Sequence, residues 1–365
     1  MNNTKPSTRS GGKPTIKHVA AEAGVGVGTV SRVLNEEQGV SSAMRERVLR
    51  VAKDLGYARS SVGRSLKTGM TGNVGVAIMS RHAPVILNPF YAVVIGGIEE
   101  VLEEHDRHLL LSSLRRKGHL LDLAKEGRVD ALLVVGCDID STDLELLKGT
   151  GRPVVLVDHS HPGLPSVTVD HVAAGRLAAE HLMERGCRRP AFVSENLENP
   201  NFRMRLEGFK AVLDEHGVKL SATGIAAGGD SWEGGYHAMN RVLASGVTPD
   251  GVFAANDPAA LSAMRALNEA GLKVPQDVKI VGCDDIHLAS QSQPPLTTLA
   301  IEKRRLGQLG AELAIELLAG EAVGAGAATN GAEGERMAGA IEGGRAEVRT
   351  ETIVLTPTLT VRAST

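Results

Sequence analysis

Aromatic residues are scarce: one Trp, three Tyr and five Phe in 365 positions. So few rings weaken any reading that relies on stacking platforms, such as an RRM-type or OB-type nucleic-acid surface. The core has to be built from Leu, Val, Ile and Ala. Cysteine is scarcer still. Cys137, Cys187 and Cys283 are far apart and form no C-x-x-C, which speaks against both a disulfide framework and a Cys-rich zinc site. No apolar run approaches the about 18 residues a membrane span needs. The opening stretch, MNNTKPSTRSGGKPT, is polar and carries no apolar h-region, so it does not read as a secretory signal. A cytoplasmic protein is the expectation. G-x-S-x-G, G-x-x-x-x-G-K-[ST] and H-E-x-x-H are all missing. Gly24-Val-Gly-Val-Gly28 follows a helical pattern rather than a strand, and the H-x-H of His159 and His161 has no companion ligands. Neither catalysis, nor a metal, nor a cofactor is expected.

At about 100–200 residues per domain, the length implies two or three folding units. The net charge of −3 conceals a division. Residues 1–70 hold twelve Lys/Arg against five Asp/Glu, a sum of +7. The remaining 28 basic and 38 acidic residues sum to −10. A basic head on an acidic body is the asymmetry of a small module that meets a polyanion.

The head reads as three helices. Thr15 can cap the first, in which Ile16, Val19, Ala20 and Ala23 make one apolar stripe. Gly24 stops it and supplies a left-handed turn position. A second helix, Val27 to Leu34, turns Val30, Val33 and Leu34 inward. Ser41 caps a third, with Met44, Val48, Ala52 and Leu55 inward. A small residue where two helices touch, Gly in the turn and branched aliphatics in the second helix are what a helix-turn-helix needs. The outward residues of that helix, Gly28, Thr29, Ser31 and Arg32, are short or hydrogen-bonding. They suit a major groove, where Arg reaches guanine edges and hydroxyls reach phosphates or bases.

Thr15-Ile-Lys-His-Val-Ala, Ala-Gly-Val-Gly and Thr-Val-Ser-Arg-Val-Leu-Asn35 together resemble the head of the LacI/GalR family of bacterial transcription regulators. Val40-Ser, Arg45-Glu-Arg-Val-Leu49 and Leu55-Gly-Tyr57 continue the resemblance. It implies that the second helix reads operator bases and that Thr15, Lys17, Val27 and Asn35 join the DNA-contacting set. It also implies a hinge helix at Ser61–Gly69 that folds on DNA, with Leu66 as a minor-groove wedge and Arg64 beside it. A Leu wedge is physically reasonable, since unstacking one step bends the duplex and gains contact. Two departures stand out. Gly26 replaces the family's usual Ser at the start of the reading helix. Gly63 replaces an Ala, which weakens the hinge helix by about 1 kcal/mol.

From residue 74 onward, apolar runs of strand length alternate with helical patterns. Strands are expected at 74–79, 109–112, 131–135, 154–157, 191–194, 251–255 and 279–283. Helices are expected near 89–105, 114–126, 142–149, 172–186, 203–216, 233–245, 257–270 and 302–319. Such alternation means doubly wound α/β lobes, here two. The stretch resembles the family's effector domain, of periplasmic-binding-protein fold. The expected fold is thus an all-α helix-turn-helix domain (14–59), a hinge helix (60–70) and a two-lobed α/β effector-binding domain (71–365). Lobe 1 takes about 71–170 and 296–319, and lobe 2 about 171–295 and 350–365. Residues 320–349, rich in Gly, Ala and Glu, read as a flexible insertion.

Ligands of open parallel sheets bind beyond the carboxyl ends of the strands. Asp138, Asp158, Asp170, Asn256-Asp257 and Asp284-Asp285 end five strands here. Asp170 and Asp257 read equally well as helix caps. Facing Asp and Asn groups suit neighbouring hydroxyls of a sugar-like ligand. The resemblance assigns Phe90 and Tyr91 in Asn88-Pro-Phe-Tyr91 to the pocket wall. It assigns Arg205 in Arg203-Met-Arg-Leu-Glu-Gly-Phe209 to a ligand oxygen, and Asp257 in Phe253-Ala-Ala-Asn-Asp257 to the pocket. Gly282-Cys-Asp-Asp-Ile286 and Pro294-Pro-Leu-Thr-Thr298 match a further family segment, with Cys283 where an aromatic is usual. The expected effector set is Phe90, Tyr91, Asp158, Arg205, Trp232, Asp257 and Asp284. For Trp232, a pocket wall and a core role stay open. Ser80–Leu87 is longer than usual and 112–119 shorter, so the ligand cannot be borrowed from a relative.

The reading is therefore a sequence-specific, double-stranded-DNA-binding regulator, a repressor, whose affinity for a near-palindromic operator is set by a sugar or related metabolite. It would act as a homodimer or tetramer with no membrane partner. The alternative is a small-molecule-binding or enzymatic α/β protein with a vestigial head.

Overall fold

The computed structural model describes residues 13–35, 37–57, 69–79, 88–114, 119–137, 139, 141–229, 231–246, 248–329 and 351–365. The hinge positions Arg64 and Leu66, the segment 80–87, Asp138 and 330–350 lie outside the described residues. The chain divides into two compact units, Met1–Thr71 and Gly72–Thr365.

In the first unit, α1 (Ile16–Ala23), α2 (Val27–Leu34) and α3 (Ser42–Asp54) form as expected. Thr15 occupies the N-cap of α1 in extended backbone, and its amide donates to Nδ1 of His18 at 3.2 Å. Gly24 takes φ 65°, a conformation that costs glycine nothing. The Ser41 hydroxyl accepts from the Met44 amide. Val19, Ala20, Ala23, Val30, Val33, Val48 and Ala52 fill the core. Arg45 ties α3 to the end of α2 by donating to the carbonyls of Val33 and Glu37.

The second unit holds two six-stranded sheets. Its elements, in order, are β1 (Asn73–Met79), α4 (Pro89–Glu104), β2 (His108–Leu114), α5 (His119–Lys125), β3 (Ala131–Val135), α6 (Ser141–Lys148), β4 (Val154–Val157) and β5 (Ser166–Val169). There follow α7 (His171–Glu184), β6 (Pro190–Ser194), α8 (Pro200–Glu215), β7 (Ile225–Ala227), α9 (Gly234–Ala244), β8 (Gly251–Ala254), α10 (Asp257–Glu269) and β9 (Lys279–Asp284). The chain ends with α11 (His287–Gln291), β10 (Thr297–Ala300), α12 (Lys303–Thr329), β11 (Thr352–Leu355) and β12 (Thr358–Thr360).

The first sheet runs β11-β5-β4-β3-β1-β2 and is parallel throughout. The second runs β12-β10-β9-β8-β6-β7, with only β12 antiparallel. In both, the strand order reverses beside the first strand of the lobe, between β1 and β3 and between β6 and β8. Those reversals open the crevices where such sheets bind ligands. β3, β4, β6 and β8 are buried along their whole length, as strands covered on both faces must be. Phe192, Phe209 and Phe253 cluster in the second lobe with ring centroids 5.3–6.4 Å apart. Three of the few rings are therefore spent on core.

Three sequence assignments are corrected. Residues 350–365 do not belong wholly to the second lobe, because β11 pairs with β5 in the first sheet and only β12 joins the second. Residues 296–319 do not pass wholly to the first lobe. β10 finds its backbone partners beside β9, and the chain crosses only after it, where α12 packs on α4. Finally, α12 continues to Thr329 instead of ending at 319. The Ala and Glu that made 320–349 look like an insertion are also strong helix formers.

Helices α7 and α8 cross at close range because neither carries a side chain at the contact. A Cβ on Gly175 would lie 1.9 Å from the Arg205 carbonyl oxygen, and one on Gly208 2.0 Å from that of Val172. This approach sets the first turn of α7 against Arg205.

Candidate functional site

On the head, α2 presents Val27, Gly28 and Arg32 to solvent, with Thr29 and Ser31 half-buried. Thr15, Lys17 and Asn35 are exposed as well. Val27 is 42% exposed, an apolar residue at the start of α2. Asn35 is engaged locally, its amide donating to Ser31 Oγ and Glu37 Oε1. Gly26 is the N-cap of α2 and supplies no side-chain hydrogen bond.

In the second unit, Asp158 and Asp284 stand at the carboxyl ends of β4 and β9, in different lobes. Both adopt positive φ, 64° and 115°, and Asp285 follows at 50°. Non-glycine residues in that region are uncommon and concentrate at ligand clamps and switches. Asp158 is buried and reaches the second lobe. Asn201 Nδ2, in the first turn of α8, donates to its carbonyl oxygen and to its Oδ2 at 3.3 and 3.2 Å. His171, first residue of α7, places Nε2 3.5 Å from Asp158 Oδ1. Cys137, just after β3, donates to Asn199 Oδ1 at the α8 N-cap.

Arg205, one turn along α8, is 3% exposed. Its Nε donates to His171 Nδ1, Nη1 to the Ala255 carbonyl and Nη2 to Asp284 Oδ1. Asp158, held by Asn201, thus faces His171, and His171, Arg205 and Asp284 continue the line of polar groups into the second lobe. Burial pushes the Asp284 carboxyl up to about 6, against the pull of Arg205 and Lys303. The Lys303 ammonium holds the turn below it by donating to the carbonyls of Asp284, Asp285 and Ile301. Arg362 holds Asp285 Oδ1 at 2.6 Å.

The sequence-derived set is only partly assembled by this arrangement. Asp158, Arg205 and Asp284 come together. Phe90 and Tyr91 lie at the start of α4 on the carboxyl edge of the first sheet, their rings edge to face at 5.2 Å. Asp257 departs from its expected place on the pocket wall. It is fully buried, and its oxygens accept from the Thr298 hydroxyl and the Ile286 amide. Burial and the neighbouring Asp284 raise its pKa well above the usual carboxylate range. The helix cap beside it is Asn256, which accepts from Ala259. Asp170 is the cap of α7. Trp232 is 45% exposed, so it has no core role.

Sequence reasoning missed His171 and Asn201. Their signal was available: Asp170 and Asn199-Pro200 mark helix starts, and the next residues lie at the same carboxyl edge as the strand ends. Among the described residues no group of His, Cys, Asp or Glu is arranged to hold a metal ion, and no helix is long and apolar enough to cross a membrane.

Comparison with known proteins bears on both units. Residues 15–60 match the family described as bacterial regulatory proteins, lacI family. Residues 179–329 match the periplasmic binding protein-like domain. The HTH-type transcriptional repressor PurR of Haemophilus influenzae (strain PittEE) is 36% identical over 309 residues, covering 83% of this chain and 90% of PurR. Among solved structures, the CelR–cellobiose complex superposes with a TM-score of 0.67 at 30% identity, covering 96% of this chain and 100% of CelR. The lac repressor dimer bound to operator and the anti-inducer ONPF gives a TM-score of 0.80 at 26% identity, covering 97% and 99%.

Proposed function

The chain belongs to the lacI family of bacterial regulatory proteins, and on that premise we propose that it is a dimeric, cytoplasmic, non-enzymatic repressor. A small polyhydroxylated effector in the interlobe cleft sets its affinity for a near-palindromic operator. The observation that carries the reading is the line of polar groups in which Asp158 of the first lobe, held by Asn201, faces His171, which accepts from Arg205, which in turn meets Asp284. Its groups come from both lobes, so a ligand that binds them binds one closure of the lobes better than another. Differential affinity of that kind is what shifts a two-state population and couples two sites. A carboxylate pair flanking one guanidinium offers acceptors and donors to neighbouring hydroxyls. In a relative the ligand is cellobiose, a molecule of that chemistry.

On DNA, α2 would lie in the major groove with Arg32 reaching base edges and Thr29 and Ser31 reaching phosphates. Lys17 and Thr15 would flank it, and Leu66, with Arg64 beside it, would open a base step. The packed head core, with Val19, Val30 and Val48 fully buried, speaks against a vestigial module.

The test is operator binding by the full chain, read by fluorescence anisotropy. Arg32→Ala is expected to cost about 1–3 kcal/mol and to relax specificity, and Leu66→Ala to weaken binding as well. Affinity is expected to fall steeply between about 50 and 200 mM salt as counterions are released. Unchanged affinity in both variants, or a flat salt response, would sink the reading. Neutral mono- and disaccharides are the first effectors to screen, with Arg205→Met abolishing any response.

A further inference from the structure

We propose that His171 is a positioning residue for Arg205, gripping the guanidinium through Nδ1 while its opposite edge faces Asp158 of the other lobe. Arginine has five donors and no acceptor. The Nε–Nδ1 contact of 3.3 Å therefore requires a bare Nδ1, and the imidazole proton sits on Nε2. Nε2 lies 3.5 Å from Asp158 Oδ1. Neither atom makes a hydrogen bond, although His171 is 1% and Asp158 4% exposed. A buried donor and a buried acceptor face each other just beyond bonding distance, and the other Asp158 oxygen is already held by Asn201.

Two arrangements exclude one another. A neutral imidazole accepts from Arg205. A protonated one carries hydrogens on both nitrogens, repels the guanidinium and pairs with Asp158 instead. The charged groups facing it are Asp158 at the end of β4, Asp170 at the cap of α7 and Arg205 on α8, with Asp284 behind Arg205. Burial and Arg205 favour the neutral form, and Asp158 opposes them. A ligand that draws away the Arg205 Nε donor lifts one of the two restraints, so effector binding is accompanied by proton uptake at His171. That consequence rests on Arg205 meeting the effector; the grip itself does not.

The experiment needs no effector, so its failure is separate from failure of the effector assignment. The full chain, labelled with 15N-histidine and 15N-arginine, is followed by long-range 1H–15N spectra across about pH 5.5 to 8.5, with His171 identified by its loss in His171→Gln. The expected result is a pure Nε2–H tautomer that does not titrate at the ordinary midpoint of about 6.5. Its titration should move upward in Arg205→Met, where no guanidinium opposes protonation and Asp158 still favours it. The Arg205 Nε–H signal should survive in His171→Gln, whose amide can both accept and donate, and be lost or shifted in His171→Phe. An Nδ1–H tautomer, ordinary titration in the wild type, or an Arg205 signal indifferent to Phe would overturn the proposal. Should Arg205→Met fail to fold, the wild-type tautomer and titration still decide.

Discussion

The side-chain amide of Asn201 donates twice to Asp158, to the backbone carbonyl at 3.3 Å and to the carboxylate at 3.2 Å. Asn201 lies in the first turn of α8 in the second lobe and Asp158 follows β4 in the first, so this side chain joins the two lobes. Because Asp158 is buried, it cannot replace these bonds with water.

Asn201→Ala is therefore expected to cost about 1–3 kcal/mol, the penalty of stranding a buried acceptor. Urea unfolding of the full chain measures it. Leaving the midpoint unmoved would mean that the bridge contributes nothing to closure. The Asn201→Ala, Asp158→Asn double variant should lose less than the two single variants combined, since both remove the same contact.

The pH dependence of stability carries the signature of Asp284. Its folded carboxyl is raised from 3.8 to about 6, so the folded state holds this proton more tightly than the unfolded chain. The contribution is fully present below the unfolded value and is lost as pH rises through the folded one. Relative to Asp284→Asn, the wild type should lose up to roughly 3 kcal/mol between about pH 4 and pH 6.5. Parallel stability curves for the two proteins over that window would contradict the assignment.

At the α7–α8 crossing, Gly208→Ala places a methyl 2.0 Å from a carbonyl oxygen. The helices must separate, at a cost of about 1–3 kcal/mol or more, and His171 moves relative to Arg205. Gly96→Ala on α4 is the contrast, since nothing lies within 4 Å of its Cβ position. It should be neutral or stabilise by up to about 1 kcal/mol. Thermal unfolding separates the two, and equal melting temperatures would refute the close approach.

In the head, Gly26→Ser restores a cap to the reading helix. Gly26 already has extended backbone, φ −72° and ψ 151°, and its Cβ position is open. A few tenths of a kcal/mol of helix stability should follow. If this helix start meets the DNA backbone as proposed, the added hydroxyl is expected to raise operator affinity by roughly two- to fivefold. Anisotropy titrations decide it; weaker operator binding by the variant would place this residue away from the DNA backbone.

How much was legible beforehand depended on the range of the interactions. The three helices of the head, Gly24 in its turn and the apolar set from Val19 to Ala52 follow from contacts a few residues apart. They are written in the order of residues, as is the strand–helix alternation of both lobes. Order along the chain also puts Asp158 and Asp284 at carboxyl ends of strands, whereas Arg205, inside α8, was marked by the family resemblance. Which partners each acid meets was settled only by packing in three dimensions. Asp257 and Asp284 look alike in sequence, yet one carboxylate is consumed by Thr298 and Ile286 while the other meets Arg205. The division of β11 and β12 between the sheets, and the assembly of Asn201 and His171 around Asp158, were likewise settled in space. Asn201 is 43 residues from Asp158, and Asp284 is 79 from Arg205. Pairings at such separations are chosen by packing, since no local pattern records which backbone or carboxylate will be nearest once two lobes have closed on each other.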